Sequence, residues 1–154
     1  MKTAEDIIKE KARDIISVPQ NTIIANALKL MNEKNIGAIL VTDGENYVGI
    51  WTERDLLRNT ISEGFDPKKA VIKDYMSTGL QSAPHTATIY QLKDKFLGKR
   101  LRHLLVEKEG KFIGLLSTGD VIRASLAAKT KELEELNAMV SWEYYENWRW
   151  TSKD

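Results

Sequence analysis

Apolar residues change their spacing along the chain in an order that occurs twice. In the first half, an extended run stops at Pro19, an apolar stripe follows at helical spacing, and two continuous apolar runs come next. A second helical stretch then ends at Gly64. These patterns predict a strand, a helix, two strands and a helix, in that order, at 15–18, 22–34, 38–42, 47–51 and 53–63. A short helix over 6–11 is expected to precede them.

The same pattern returns 65 residues later without a gap, since Gly114 follows Gly49 and Asp120 follows Asp55 by that distance. Such internal repetition predicts two copies of one structural unit. Each copy is too small to bury its sheet alone, so the two are expected to pack face to face. We divide the chain into a first repeat, a linker, a second repeat and a C-terminal extension, at 1–64, 65–70, 71–127 and 128–154.

Each copy contains a hydroxyl residue three positions before an aspartate, directly after an apolar run. The pairs are Thr52 with Asp55 and Ser117 with Asp120. This spacing predicts a helix capping box at the end of a strand. A helix start presents free N–H groups that attract anions, and a hydroxyl and a carboxylate beside it could hold the phosphate and the ribose diol of a nucleotide. A purely structural capping role is the alternative, and the two roles are compatible.

Composition argues against several classes of function. The chain has 23 basic and 22 acidic residues, so its net charge of +1 provides no field that would recruit nucleic acid or an acidic membrane. It has no cysteine and only 2 histidines, which leaves poor material for a metal site. No apolar run reaches membrane-spanning length and the charged N-terminus is unlike a secretory signal, so a soluble cytoplasmic protein is expected. No nucleophile–base pair or Walker-type loop can be found, which favours binding over catalysis.

The tandem copies resemble a pair of CBS domains, also called a Bateman module, over about residues 4–126. The resemblance rests on Gly-Ile-Trp-Thr-Glu-Arg-Asp from Gly49, on Gly-x-x-Ser-x-x-Asp from Gly114, and on Arg-His-Leu-x-Val from Arg102. It implies an α+β fold of two repeats packed through their sheets, with adenosyl ligands in clefts between them and with homodimers. AMP is the first expected ligand, followed by ATP or ADP, NAD and S-adenosylmethionine, and no catalytic cofactor is implied.

The resemblance also assigns residues to a first cleft. There Thr52 and Arg54 would bind the phosphate and Asp55 the ribose hydroxyls. The adenine would lie against the remaining residues of that motif and a neighbouring backbone segment, while the opposite repeat would supply two basic residues. The full set for this cleft is Val18, Ile50, Thr52, Arg54, Asp55, Arg102 and His103.

The second cleft would be formed by the equivalent positions of the other repeat. Its set is Ala83, Leu115, Ser117, Asp120, Gly37 and Ala38. This chain departs from the family pattern in that Gly119 stands where Arg54 has its counterpart and Leu105 stands where a proline is common. Because the first cleft has the arginines and the histidine, it is expected to be the better phosphate site.

The C-terminal extension continues the last helix without a proline or glycine and is rich in aromatic residues. Such rings favour interfaces, so packing on a partner subunit or on another protein is expected of Trp142, Tyr144, Tyr145, Trp148 and Trp150. The leading prediction is a regulatory adenine-nucleotide sensor that changes conformation in a homodimer. The alternative is a structural dimerisation module with unoccupied clefts, which works through its C-terminal helix.

Overall fold

The computed structural model describes residues 1–139, which form two repeats that are each built on a three-stranded sheet. The elements that lead to and form the first repeat are α1 (Ala4–Lys11), β1 (Ser17–Pro19), α2 (Ile24–Lys34), β2 (Ala38–Asp43), β3 (Asn46–Thr52) and α3 (Glu53–Thr60). A 3₁₀ turn at Ile72–Asp74 leads to β4 (Ser82–Pro84), α4 (Ile89–Lys99), β5 (His103–Lys108), β6 (Lys111–Ser117) and α5 (Thr118–Met139). The predicted order of strand, helix, strand, strand and helix is confirmed in both repeats.

The two sheets have the same topology and the same register. β1 runs parallel to β2, and β2 runs antiparallel to β3, with Leu40 opposite Ile50. In the second sheet β4, β5 and β6 repeat this arrangement, with Leu105 opposite Leu115. Both hairpins therefore end at the hydroxyl residue of the motif, which places Thr52 and Ser117 at equivalent ends of their sheets.

Side chains of the central strands alternate between two buried faces. Ile39 and Val41 pack with Trp51 in the core of the first repeat, beneath its helices. Leu40 lies between them in sequence and therefore on the opposite face, where it is also fully buried. The ring centroids of Tyr47 and Phe112 are 5.9 Å apart, so these side chains connect the two hairpins across the repeats.

Each repeat receives part of its core from the segment that leads into the other. Ala4 and Ile7 of α1 are buried in the core of the second repeat, although they precede the first. Ile72 of the 3₁₀ turn is buried in the core of the first repeat in the same way. Backbone hydrogen bonds secure both segments, with Ala4 N donating to Ala87 O at 2.8 Å and Ile50 N donating to Ser77 O at 2.9 Å. We refer to this arrangement as the lead-in exchange.

The lead-in exchange explains why each motif begins with a glycine. A Cβ atom on Gly114 would overlap the side chain of Ile8, and one on Gly49 would overlap Met76. Only glycine lets the lead-in segment approach the edge strand this closely.

Three helix boundaries differ from the predicted ones. α2 begins after Ile23, which makes no side-chain cap, rather than at the predicted Thr22. Carbonyl groups of the linker replace the side-chain cap, since Ile24 N and Ala25 N donate to Ala70 O and Pro67 O at 2.9 and 2.8 Å. α3 ends at Thr60, before Gly64, and α1 begins at Ala4 rather than at position 6. As predicted, α5 continues past the second repeat, to Met139. The predicted aromatic interface residues of the extension lie outside the described residues.

Candidate functional site

Both capping boxes form as predicted at the ends of the two hairpins. At the start of α3, Thr52 N donates to Asp55 Oδ2 at 2.9 Å, and Asp55 N donates to Thr52 Oγ1 at 3.3 Å. At the start of α5, Ser117 N donates to Asp120 Oδ2 at 2.8 Å, and Asp120 N donates to Ser117 Oγ at 3.2 Å. Each box turns its aspartate back toward the strand and orders the first helical turn.

A cavity of about 840 Å³ lies beside the Ser117 box, between the two repeats. Its size is in the range of small-molecule sites, which is about 300 to 1,000 Å³. The second repeat contributes Leu115, Ser117 and Asp120 to its wall, and the first repeat contributes Gly37 and Ala38. The structure therefore brings together five of the six residues that were predicted for the second cleft.

The cavity wall also contains residues that sequence reasoning missed. They come from α1, from the segment after it, from the end of α2 and from α5. The cationic ones are Lys2, Lys11, Arg13, Lys34 and Arg123, and the anionic ones besides Asp120 are Glu10 and Asp14. The repeat offset contained a signal for one of them, because Lys11 aligns with Met76 and is thus a charge that only one copy has.

Asp120 is the buried centre of this charged wall, with a side chain that is only 7% exposed. Lys11 Nζ donates to its Oδ2 at 2.8 Å, and an Arg123 guanidinium nitrogen donates to its Oδ1 at 2.6 Å. Burial acts to raise the pKa of Asp120, but the hydrogen bonds from Lys11 and Ser117 outweigh it and hold that pKa below its ordinary value. The carboxylate is therefore ionised at neutral pH and is available as a charged acceptor.

His103 lies in the same cavity, opposite Ser117 in the β5–β6 ladder. Burial lowers its pKa, and the charge of Lys11 lowers it further, against the opposing effects of Asp120 and Asp55. The imidazole is therefore mainly neutral at pH 7 and acts as a hydrogen-bonding group rather than as a cation. Because His103 lines the cavity beside the Ser117 box, it is not confined to the Thr52 side where it was predicted.

The remaining residues predicted for the first cleft do not line this cavity. Arg54 and Arg102 are exposed, while Thr52, Asp55 and Ile50 are half-buried near the start of α3. Whether they bind a ligand stays a prediction. The expectation that this cleft is the better phosphate site stays a prediction. The cations of the lead-in segment line the cavity beside the Ser117 box.

The two residues whose neighbouring backbone was predicted to contact adenine have side chains that are buried in the cores of the repeats, and the backbone contact stays a prediction. Val18 packs with the first repeat and Ala83 with the second. β1 and β4 are the first strands of their sheets, and the alternation of side chains turns these two residues toward the helices. The chain just before β1 reaches the cavity through Ile15 and Ile16. These apolar side chains provide a surface on which a flat ring can pack.

Two features are absent from the part of the chain that the structure describes. Within residues 1–139, no group of three or more His, Asp or Glu side chains is arranged to hold a metal ion. In the same part of the chain, no helix combines the length and the apolar character that crossing a bilayer requires.

The CBS domain model matches the chain twice, over residues 4–61 and 72–127. The chain belongs to the CBS domain family. The two matches coincide with the two sheets and their helices, and the first also includes α1. The fold expected from the resemblance, two tandem CBS repeats with a C-terminal helix, is thereby confirmed.

Relatives in this family include proteins that consist largely of one such pair. The chain is 30% identical over 152 residues to the mitochondrial CBS domain-containing protein CBSX3 of Arabidopsis thaliana, covering 92% of this chain and 73% of that protein. A solved structure of a putative signal-transduction protein with CBS domains from Burkholderia ambifaria is 33% identical, with a TM-score of 0.76, and covers 82% of this chain and 95% of that one. The cytoplasmic location expected for this chain stays a prediction, since the Arabidopsis relative is a mitochondrial protein.

A third relative was solved with a nucleotide bound. It is CBSX2 in complex with AMP, which is 27% identical and has a TM-score of 0.65, with 84% of this chain and 99% of that chain covered.

Proposed function

We propose that this protein is a regulatory CBS module that binds an adenine nucleotide between its repeats, with AMP as the first ligand to test. The observation that carries the proposal is the cavity at the Ser117 box. It joins a helix start, an ionised aspartate, apolar side chains and a cationic rim in one place. The AMP complex of the structural relative CBSX2 supports the choice of ligand.

Each part of the nucleotide has a matching group in the cavity. We place the phosphate at the start of α5, where Ser117 lines the cavity together with the cations Lys11 and Arg123. The ribose hydroxyls donate to the carboxylate of Asp120. The adenine packs against Ile15, Ile16 and Leu115, which reach the cavity from both repeats. A ligand in this position touches both halves of the molecule.

Regulation follows from that double contact. A nucleotide can change the tilt between the repeats, or between subunits of a homodimer, only if it binds one arrangement more tightly than the other. The ligand set proposed here spans AMP, ADP, ATP, NAD and S-adenosylmethionine, and the output is transmitted to a protein partner rather than produced by catalysis.

The test is a thermal shift of the purified protein with each of the five ligands in parallel, followed by calorimetric titration of those that shift it. A ligand that binds only the folded state stabilises it by about 2.7 kcal/mol at 100 times its Kd. We expect AMP to raise the unfolding midpoint. If none of the five ligands raises it at millimolar concentration, nucleotide binding is refuted.

The alternative function, a structural module that dimerises through α5, has its own supporting observation. Ile122, Leu126, Leu133 and Leu136 are each more than half exposed on this helix. An apolar stripe on a solvent-facing helix is typical of a surface that a partner covers. We propose a second copy of the chain as that partner, which is compatible with nucleotide binding at the Ser117 box.

A further inference from the structure

One of the positions at which the two repeats differ brings a charge into direct contact with the ligand motif. Lys11, at the end of α1, donates from Nζ to Leu115 O at 2.9 Å and to Asp120 Oδ2 at 2.8 Å. The residue 65 positions later is Met76, which packs against Gly49 and brings no charge to the equivalent motif. The second motif thus carries a cation that the first motif lacks.

Lys11 and a bound ribose compete for the same carboxylate. In the proposed mode the ribose hydroxyls donate to Asp120, which already accepts from Lys11, Ser117 and Arg123. Each carboxylate oxygen offers about two acceptor positions, and those of Oδ2 are taken by Ser117 N and Lys11 Nζ, whereas Oδ1 has a position left beside Arg123. Ser117 donates from the main chain within the capping box and cannot move away. A diol that donates one hydroxyl to each carboxylate oxygen must therefore displace Lys11 from Oδ2, while its other hydroxyl can share Oδ1 with Arg123.

Displacing Lys11 is costly unless the ammonium group finds another anion. Its side chain is 25% exposed, whereas that of Arg123 is 72% exposed, so Arg123 can return to water while Lys11 remains within the cavity wall. A phosphate at the start of α5 lies beside the same capping box and provides the anion that Lys11 needs. A nucleoside without phosphate provides none.

We propose that Lys11 makes this cavity selective for phosphorylated adenosine, by moving from Asp120 to the phosphate when the ribose takes its place. This inference rests on the proposed function and adds to it the residue that distinguishes a nucleotide from its nucleoside. It also joins the ligand to α1, because Lys11 is the last residue of that helix.

The test compares the affinities of AMP and adenosine, measured by calorimetry, in four proteins. Lys11→Met reproduces the residue of the other repeat, and Lys11→Arg keeps the positive charge. Lys99→Met removes one positive charge at the end of α4, where Lys99 bonds to Gln81 and does not line the cavity. Unfolding curves of all four proteins establish that each is folded at the titration temperature.

We expect the ratio of AMP affinity to adenosine affinity to fall about tenfold or more in Lys11→Met, the scale of one lost charge-assisted hydrogen bond. Adenosine itself should bind Lys11→Met at least as well as the wild type, because its competitor for Asp120 is gone. Lys11→Arg should keep a ratio close to that of the wild type, and Lys99→Met should leave the ratio unchanged.

Three results would overturn the inference. An unchanged ratio of AMP affinity to adenosine affinity in Lys11→Met shows that Lys11 does not bind the phosphate. An equal loss of both ligands shows that Lys11 only supports the structure of the site. If the wild type binds neither ligand, the choice of AMP fails and the inference fails with it, which distinguishes that case from the first two.

Discussion

Asp120 is the residue at which three separate parts of the chain meet. Its carboxylate accepts from Ser117 at the end of β6, from Arg123 one turn further along α5, and from Lys11 at the end of α1. Asp55, its counterpart, accepts through Oδ2 from Thr52 alone among the described residues. The same motif is thus a local cap in one repeat and a tertiary junction in the other.

This difference gives a prediction at the level of single residues. Asp120→Asn should weaken AMP binding by about 1.5 to 3 kcal/mol, because the ribose loses a charged acceptor. Asp55→Asn is the matched control, since it makes the same change in the same motif without the cavity beside it. Calorimetric titration of AMP into both variants checks the prediction. Equal weakening in both variants, or none in either, would contradict the placement of the ligand at the Ser117 box.

The sequence was sufficient to predict the capping boxes because every contact within them joins residues that are three positions apart. Thr52 and Asp55 determine each other's position through a local turn, whatever the rest of the chain does. The cations of the cavity are different, since Lys11 and Asp120 are 109 residues apart. Nothing in the motif indicates which distant residue will arrive there. The prediction consequently credited the arginines within and next to the motifs and missed the lysine of the lead-in helix.

At the scale of elements, α1 is held on the second repeat by charge as well as by its apolar face. Glu5 Oε1 accepts from Lys108 Nζ at 2.7 Å, and its Oε2 pairs with His85 Nδ1 at 3.0 Å. The bonds from Lys108 and His85 lower the pKa of Glu5 from 4.5 to about 2. None of these three residues has a counterpart of like charge in the other copy, where Ala70, Asp43 and Gln20 stand. The first repeat therefore lacks an equivalent cluster for its own lead-in segment.

Because of this cluster, the free energy of unfolding should depend on pH in the acidic range. A carboxyl whose pKa is lowered by folding stabilises the folded state above its ordinary pKa, and that contribution is lost as the pH falls toward the folded value. The contribution of Glu5 should thus disappear between about pH 5 and pH 2. Denaturant unfolding across this range should show a flatter pH dependence in Glu5→Gln than in the wild type. Glu10→Gln, on the same helix, serves as the control, and a wild-type slope in Glu5→Gln would contradict the prediction.

The end of α5 provides a second prediction at this scale. Truncation after Ala128 removes Leu133 and Leu136 from the exposed apolar stripe and removes the aromatic extension as well, but no buried core residue of either repeat. We expect the truncated protein to keep the far-ultraviolet circular dichroism spectrum of folded repeats. Light scattering should give the mass of a monomer instead of that of a dimer. A dimer of unchanged affinity would show that this part of the chain does not mediate dimerisation.

The continuation of α5 beyond the second repeat was predictable from the sequence. Absence of proline and glycine after Gly119 indicated that it continues beyond the repeat. One feature at another helix end was not predictable from local sequence. The start of α2 is completed by carbonyls of Pro67 and Ala70, from a linker about 40 residues away in the chain. The local sequence at the start of α2 does not indicate that distant carbonyl groups will accept from its N–H groups.

At the scale of the whole molecule, the lead-in exchange means that neither repeat is complete by itself. The first repeat lacks Ile72 when the chain is cut at the linker, and the second lacks Ala4 and Ile7, all of them buried. Burying a side chain such as isoleucine contributes about 1.5 to 3 kcal/mol, so each isolated half loses a large part of a small domain's stability.

We therefore expect the fragments 1–64 and 65–154 to fold poorly alone and to assemble when they are mixed. Circular dichroism and size-exclusion chromatography of the separate and combined fragments test this. As a control, Ile7→Asp in the first fragment should prevent assembly, because it places a charge in the core of the other fragment. Independent folding of both fragments would show that the exchanged segments are not required.

The lead-in exchange also bears on the order in which the newly made protein can fold. The first repeat must wait until Ile72 has left the ribosome, although its own sheet ends at Thr52. The helix α1 waits longer, because the core that receives it includes Ala124. During synthesis, the element that is made first is therefore among the last to reach its place, and its apolar face remains without a partner until nearly all of the second repeat has been translated.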